Sequence, residues 1–177
     1  MKYSIAYLIK GNAEEYQRKI MREFSDVFDI RDLNNHIPPH ITLKAPFETD
    51  NINELDKLLS NFAKNSKAGK VNLGGLGHFD NRVIYMDSKF SSDAKAVYNN
   101  LIKELEKVGW LTWRDYDKLG NFHATLTYCE NEEQYKECWE YFSKLKTAMF
   151  DLKFDNISIL VKNSEGDWEV YKEFKIK

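Results

Sequence analysis

The sequence predicts an α/β (α+β) fold in which one domain contains two similar lobes. Segments with helical periodicity alternate with segments of strand composition, and the order strand, helix, strand, helix, strand begins again near Arg82. Each half also contains one copy of the same short motif of histidine and threonine. We therefore expect a single bilobal domain over residues 1–177, with lobe one at about 1–80 and lobe two at about 81–177.

Four segments place apolar residues three or four positions apart, which is the spacing of an amphipathic helix. Gly109 is a natural end for the third helix. Each helix follows a residue whose side chain can cap its N-terminus: Asn12, Asp50, Ser92 and Asn131. The apolar positions are Tyr16, Ile20, Phe24 and Val27; Ile52, Leu55, Leu59 and Phe62; Val97, Leu101, Leu105 and Val108; and Tyr135, Trp139, Phe142 and Leu145.

Seven further segments have the composition of β-strands. The tripeptide Ile5-Ala6-Tyr7 in lobe one corresponds to Ile84-Tyr85-Met86 in lobe two, and each precedes a predicted helix. The last strand alternates well, so we expect Trp168, Val170, Phe174 and Ile176 on one face. The seven predicted strands cover residues 3–9, 41–47, 71–76, 82–87, 123–128, 156–161 and 168–176.

The second strand of each lobe carries the repeated motif, His40-Ile41-Thr42-Leu43 in lobe one and His123-Ala124-Thr125-Leu126 in lobe two. Because side chains alternate along a strand, the histidine and threonine share one face while the apolar residues enter the core. If the lobes are related by an approximate two-fold axis, these faces meet across a cleft. Two imidazoles and two hydroxyls would then surround one small anion.

This constellation suits phosphodiester chemistry. A neutral histidine takes a proton from the attacking water or ribose hydroxyl, and a protonated histidine gives one to the departing oxygen. Threonine hydroxyls can bind the non-bridging phosphate oxygens. The motifs therefore predict His40 and His123 as the catalytic acid and base, and Thr42 and Thr125 as phosphate-binding residues.

Further residues near the motifs could contact a substrate. Lys44 shares the face of His40 if the strand stays regular, and Thr127 is its counterpart in lobe two. The lysine would add charge to a phosphate pocket, or it would lie on a solvated surface. Trp113 and Arg114 precede the second motif, where they could stack a base or instead fill the core and face solvent.

The two motifs, the surrounding segment PPHITLKAPF and the duplicated order of elements resemble the 2H phosphoesterases, which include 2'-5' RNA ligase-like and cyclic phosphodiesterase-like proteins. The resemblance implies two pseudo-two-fold-related β-α-β-α-β lobes with largely antiparallel sheets around a central cleft. It also implies catalysis without a metal or other cofactor, with His40 and His123 as the catalytic pair and Thr42 and Thr125 on the phosphate. The implied substrates are 2',3'-cyclic phosphates or 2'-5' linkages. Hydrolysis and ligation both stay open, because acid and base exchange roles in the reverse reaction.

The composition limits the kinds of nucleic acid and membrane partner that we expect. The net charge of -2 argues against a broad electrostatic contact with duplex nucleic acid, so we expect a nucleotide or RNA-end substrate and no duplex DNA. The apolar run within the first ten residues is too short for a secretory signal, and no other apolar run is long enough to span a bilayer. We therefore expect a cytoplasmic protein without a membrane partner, and we favour a monomer.

Two alternatives stay open at this point. The same cleft could serve a non-catalytic module that binds a nucleotide or an RNA end, or the four histidines could form a metallohydrolase site. His36 and His40 have the spacing of a helical zinc pair, but Pro38 and Pro39 prevent a helix between them. We interpret His78 as a turn residue and the two cysteines, Cys129 and Cys138, as packing thiols.

Overall fold

The computed structural model describes residues 1–145 and 147–177. These residues form two four-stranded antiparallel sheets, four α-helices and one short 3-10 helix at Leu33–Asn35, which confirms the predicted fold class. No helix within these ranges is long and apolar enough to cross a membrane. The elements in chain order are β1 (Lys2–Leu8), α1 (Asn12–Phe28), β2 (His40–Glu48), α2 (Ile52–Lys64), β3 (Gly69–Phe79), β4 (Val83–Phe90), α3 (Ser92–Leu105), β5 (His123–Tyr128), α4 (Glu132–Phe142), β6 (Met149–Phe154), β7 (Asn156–Lys162) and β8 (Trp168–Lys175).

The two sheets have the same arrangement. The first has the strand order β2-β1-β7-β8 and the second has the order β5-β4-β3-β6, so each motif strand lies at a sheet edge. Strand β3 belongs to the second sheet because it forms a hairpin with β4 through Asp80 and Asn81, which both adopt the left-handed conformation that a tight hairpin turn requires. The chain then returns β7 and β8 to the first sheet, so sheet membership does not divide the chain near residue 80. The organisation of residues 1–177 as one domain stays a prediction.

The sheets and helices share one large hydrophobic core. Strand β1 lies inside the first sheet and is buried along nearly its whole length. Helices α1 and α4, from opposite halves of the chain, meet where the rings of Phe24 and Phe142 stack with centroids 3.7 Å apart. Ile20 and Phe24 of α1 are buried, as the helical spacing predicted.

The ends of the helices differ in detail from the predicted caps. Asn131 caps α4 as expected, since its side chain accepts a hydrogen bond of 2.9 Å from Gln134 N. Helix α3 is capped by Ser91 rather than Ser92, and it ends at Leu105, before Gly109. The extra turn between Leu105 and Gly109 is closed by hydrogen bonds such as Val108 N to Leu105 O.

Two strands depart from the prediction. Strand β6 was not predicted, although Phe150, Leu152 and Phe154 alternate with polar residues as in a strand. In β8 the pairing with β7 skips Tyr171, because Val170 pairs with Leu160 and Lys172 pairs with Ile159. Because of this bulge, the side chains before Tyr171 and those after it no longer alternate in one continuous pattern. Val170 is therefore exposed while Phe174 is buried.

Candidate active site

The two motif strands lie next to each other in space. Strands β2 and β5 are edge strands of different sheets, and they contact each other without forming a ladder. A cleft of about 660 Å³ opens beside them, and Thr42, His123 and Thr125 are among its lining residues. Thr42 and His40 share one face of β2, since Ala6 and Leu8 oppose them in register on β1. The fold therefore places Thr42, His123 and Thr125 in the lining of one cleft, whereas His40 lies on the same face of β2 as Thr42 but is not itself part of that lining.

Both motif histidines make the same hydrogen bond. His40 Nδ1 lies 2.8 Å from Pro38 O, and His123 Nδ1 lies 2.7 Å from Asn121 O. A carbonyl oxygen can only accept, so each Nδ1 carries the hydrogen and donates it. In the neutral ring, Nε2 is then left as the free proton acceptor. The repeat thus fixes one tautomer for both rings.

The two imidazoles also interact electrostatically. Burial lowers the pKa of His40; the hydrogen bond to Pro38 opposes this shift, and the charge of His123 lowers the pKa further. Burial likewise lowers the pKa of His123 against the opposing hydrogen bond to Asn121. Because a proton on one ring disfavours a proton on the other, the doubly protonated state is disfavoured, and protonation of one ring leaves the other as a base.

The surroundings of the two histidines differ. The ring of His123 contacts Phe79 and Tyr85, with centroid distances of 4.9 and 5.0 Å, and Asp87 is its cross-strand partner on β4. The cross-strand partner of His40 is the apolar Leu8. The neighbours of His123 are thus aromatic and acidic, whereas the cross-strand neighbour of His40 is apolar. The two histidines therefore make equivalent contacts with the backbone, but their neighbouring side chains differ.

Each motif strand contains a bulge at the same place. The pairing of β1 with β2 skips Leu43, and the pairing of β4 with β5 skips Leu126, so the extra residue follows the motif threonine in both strands. A bulge changes the direction in which the following side chains point. Lys44 and Thr127 consequently do not continue the histidine and threonine face of a regular strand, and each is only 1% exposed.

Lys44 is part of a buried ion pair. Its Nζ donates to Asp117 Oδ2 at 2.8 Å, and both side chains are at most 1% exposed. The ammonium also lies 5.2 Å from the ring centre of Trp113, which is half-buried. The charge of Lys44 is thus balanced inside the protein. Trp113 contributes to the same buried cluster rather than to the lining of the cleft.

Aromatic side chains form part of the wall of the cleft. Phe79, Tyr116 and Tyr128 line it, and the two tyrosines are 54% and 56% exposed. Arg114 is exposed and donates from Nη1 to Tyr116 Oη at 2.6 Å, so it lies at the rim. Tyr116 belongs to the segment that the sequence indicated for base stacking, whereas Phe79 and Tyr128 were missed. Tyr128 could have been found as the last residue of the motif strand, whereas Phe79 joins the site only through the pairing of β3 with β4.

The other histidines lie elsewhere. His36 Nδ1 is 2.6 Å from Asp167 Oδ1, and the ring of His78 packs against Tyr135 and Trp139. Within residues 1–145 and 147–177, no three His, Cys, Asp or Glu side chains are grouped so that they could hold a metal ion.

The fold is shared with solved structures. TT0787 of Thermus thermophilus superposes with a TM-score of 0.69 at 15% identity, over 99% of this chain and 98% of that chain. E. coli LigT in its apo form gives a TM-score of 0.61 at 10% identity, over 99% and 97% of the chains. E. coli LigT complexed with 3'-AMP gives 0.59 at 11% identity, over 99% and 98%. No curated protein sequence matches the chain.

The sequence itself matches a family model. Residues 16–166 match the model of the 2'-5' RNA ligase superfamily, and this range includes both motifs and the loops that hold their histidines. The shared fold of TT0787 and LigT agrees with the match. This chain therefore belongs to the 2'-5' RNA ligase superfamily, the group of 2H phosphoesterases that its paired motifs resemble.

Proposed function

We propose that this protein is a metal-independent phosphoesterase that acts on a nucleotide or RNA phosphodiester, with His40 and His123 as the paired general acid and base. The observation that carries the proposal is the matching tautomer of the two histidines, since each ring donates Nδ1–H to a carbonyl and keeps Nε2 for proton transfer. The charge of His123 lowers the pKa of His40, and this supports the proposal because it disfavours a pair with both rings protonated. We expect 2',3'-cyclic phosphates or 2'-5' linkages as substrates.

In hydrolysis of a 2',3'-cyclic phosphate, the neutral histidine accepts a proton from water as the water oxygen bonds to phosphorus. The bond from phosphorus to one ribose oxygen breaks, and the protonated histidine donates its proton to that oxygen. In cleavage of a 2'-5' linkage, the neighbouring ribose hydroxyl replaces water and the 5' oxygen departs. Ligation is this second reaction in reverse. Positioned proton transfer of this kind contributes about 10²- to 10⁴-fold to the rate.

Thr42 and Thr125 are the proposed ligands of the non-bridging phosphate oxygens. They lie on the same strand faces as the histidines, and both line the cleft. Lys44 and Thr127 are not included, because both side chains are buried. The proposed site therefore neutralises the phosphate mainly through the protonated histidine and hydroxyl donors.

The cleft also suits a nucleotide. Its volume of about 660 Å³ lies within the usual range for small-molecule sites, and its exposed tyrosines, Tyr116 and Tyr128, offer faces on which a base can stack. Arg114 would support this wall through Tyr116. E. coli LigT, which shares the fold, has been crystallised with 3'-AMP, with ATP and with phosphate, and this supports a nucleotide ligand here. A cytoplasmic location and a monomeric state remain predictions.

The test is a substrate panel assayed in excess chelator. It contains 2',3'-cyclic nucleotides, 2'-5' and 3'-5' dinucleotides, and short RNAs with cyclic phosphate ends. We expect turnover of at least one cyclic or 2'-5' substrate, with a loss of about 10²- to 10⁴-fold in kcat for His40→Ala and for His123→Ala. His78→Ala is the matched control, because His78 is an exposed histidine that packs on Trp139 outside the cleft.

Three results would contradict the proposal. Full activity in both motif variants would remove the histidines from the reaction. Saturable binding without any product across the whole panel would favour a non-catalytic module that binds nucleotides or RNA ends. Loss of activity with chelator, and its return with a divalent metal, would favour a metallohydrolase.

A further inference from the structure

We propose that Asp117 and Gln17 are positioning residues that hold the two motif strands in place beside the cleft. Each reaches from one half of the chain to the backbone of the motif strand in the other half. The predicted effect on turnover rests on the proposed function, whereas the predicted effect on the ring of His123 does not.

The inference begins with the edges of the sheets. Because β2 and β5 each end a sheet, their outward N–H and C=O groups lack a neighbouring strand. Asp117 Oδ1 accepts a hydrogen bond of 2.9 Å from Ala45 N on β2, three residues after Thr42. Gln17 Nε2, on α1, donates a hydrogen bond of 3.1 Å to the carbonyl oxygen of Thr125 on β5. Side chains thus replace the missing strand beside both motifs.

Asp117 is held from several directions. Its Oδ2 accepts from Lys44 Nζ at 2.8 Å and from Arg114 N at 2.7 Å, and its main-chain oxygen accepts from Tyr98 Oη at 2.8 Å. The carboxylate is fully buried. Hydrogen bonds to a buried charge are shorter and stronger than those between neutral groups. Asp117 therefore joins β2, α3 and the segment before the second motif at one rigid point.

That segment leads directly to His123. Asn121, whose carbonyl accepts from His123 Nδ1 at 2.7 Å, follows Asp117 by four residues. The intervening Gly120 has a φ of +65°, and Phe122 N donates back to Gly120 O at 2.9 Å, so the turn is tight. A shift of Asp117 would consequently move the carbonyl that sets the tautomer of His123. The same carboxylate is bonded to the strand that carries His40.

Gln17 makes the reciprocal contact. It is 1% exposed, and α1 packs against β5. Its bond to Thr125 O fixes the backbone of the residue that we propose as a phosphate ligand. Replacement by methionine keeps a side chain of similar length and removes the amide, so Gln17→Met tests this bond alone.

The experiment compares Asp117→Asn, Gln17→Met and the control Leu59→Ala. Asparagine keeps the shape of aspartate but replaces one acceptor oxygen with a donor, so it leaves either Ala45 N, or both Lys44 Nζ and Arg114 N, without their acceptor. Leu59 is buried in α2, which packs on β7 and β8 away from the cleft. We therefore expect Leu59→Ala to destabilise the protein without displacing the motif strands β2 and β5. All variants are measured at a temperature at which they are folded.

The first readout is the tautomer of His123, from the ¹⁵N chemical shifts of its ring without substrate. We expect the wild-type protein and Leu59→Ala to carry the hydrogen on Nδ1, and Asp117→Asn to show a substantial fraction with the hydrogen on Nε2. The second readout is turnover of the best substrate. We expect kcat to fall about 10- to 100-fold in Asp117→Asn with little change in KM, since small displacements of catalytic groups cost up to about 10²-fold. Gln17→Met should lower kcat about 3- to 10-fold by the same reasoning.

An unchanged His123 tautomer in Asp117→Asn overturns the proposal. An equal loss of kcat in Leu59→Ala also overturns it, because the effect would then follow stability rather than position. If the wild-type protein turns over no phosphodiester, the proposed function fails, and the tautomer of His123 in Asp117→Asn still decides whether Asp117 positions the ring.

Discussion

Removing the ammonium of Lys44 should destabilise the protein far more than removing a surface lysine. Lys44→Met keeps much of the apolar stem but leaves the carboxylate of Asp117 buried, with Ala45 N and Arg114 N as its remaining donors. Breaking a buried ion pair at one partner costs about 3–5 kcal/mol. Each kcal/mol lowers Tm by about 2–4 °C in a protein of this size, so we expect a decrease of about 6–20 °C.

The control is Lys172→Met, because Lys172 forms an ion pair of the same type with Asp56, at 2.7 Å, on the surface. Exposed pairs contribute about 0–1 kcal/mol. Unfolding in urea, followed by circular dichroism at 25 °C, gives the free energy of unfolding of both variants. A loss below about 1 kcal/mol in Lys44→Met, equal to that in Lys172→Met, would refute the argument that burial makes this pair important.

The remaining predictions concern the site and its surroundings. Thr42→Val and Thr125→Val should each lower kcat/KM about 10- to 100-fold, the equivalent of a hydrogen bond to a charged group, and unchanged kcat/KM values would remove the hydroxyls from the phosphate site. Because the pKa values of both motif histidines are lowered from 6.5, the pH profile of kcat/KM should be bell-shaped with its maximum below about 6.5, and a maximum above pH 7 would contradict these shifts. At pH values just below 6.5 the unfolded chain then binds more protons than the folded protein does. The free energy of unfolding should therefore fall as the pH falls through that window, and it should fall less when the motif histidines are replaced by glutamine. Gly77→Ala should destabilise the protein by about 1–3 kcal/mol, because the added Cβ would overlap the ring of Tyr85, and a urea midpoint equal to that of the wild type would show that this ring moves freely.

The repeat made much of the site predictable. His40 and His123, with their threonines, occur at equivalent places in two similar series of elements, and antiparallel strands with a two-residue period place each pair on one face. The helices were predictable because their apolar spacing matches the faces that pack into the core. These are local signals that a single sequence contains in full.

Features that depend on register were not predictable. The bulges at Leu43 and Leu126 change the direction of Lys44 and Thr127, and the motif itself gives no sign of an extra residue. The hairpin at Asp80 and Asn81 assigns β3 to the second sheet, which a division into equal halves does not anticipate.

Contacts between residues that are far apart in the sequence could not be predicted either. Asp117 is separated from Lys44 by 73 positions, and in the sequence it is one carboxylate among many. Gln17 lies on a helix whose buried face is otherwise mostly apolar, and a polar residue there gives no indication of the strand that it bonds. Only the packing of the two halves against each other reveals both contacts.

The choice of acceptor for the two imidazoles has a consequence for the direction of the proposed reaction. Pro38 and Asn121 offer neutral main-chain oxygens of the same kind, and each hydrogen bond favours the protonated form of its ring. A carboxylate in the place of one carbonyl would favour the protonated ring more strongly and commit that ring to one role. Because the two acceptors are uncharged and alike, neither of them commits its ring to one role, and under the proposed function the same pair of residues is equipped to make a bond as well as to break it.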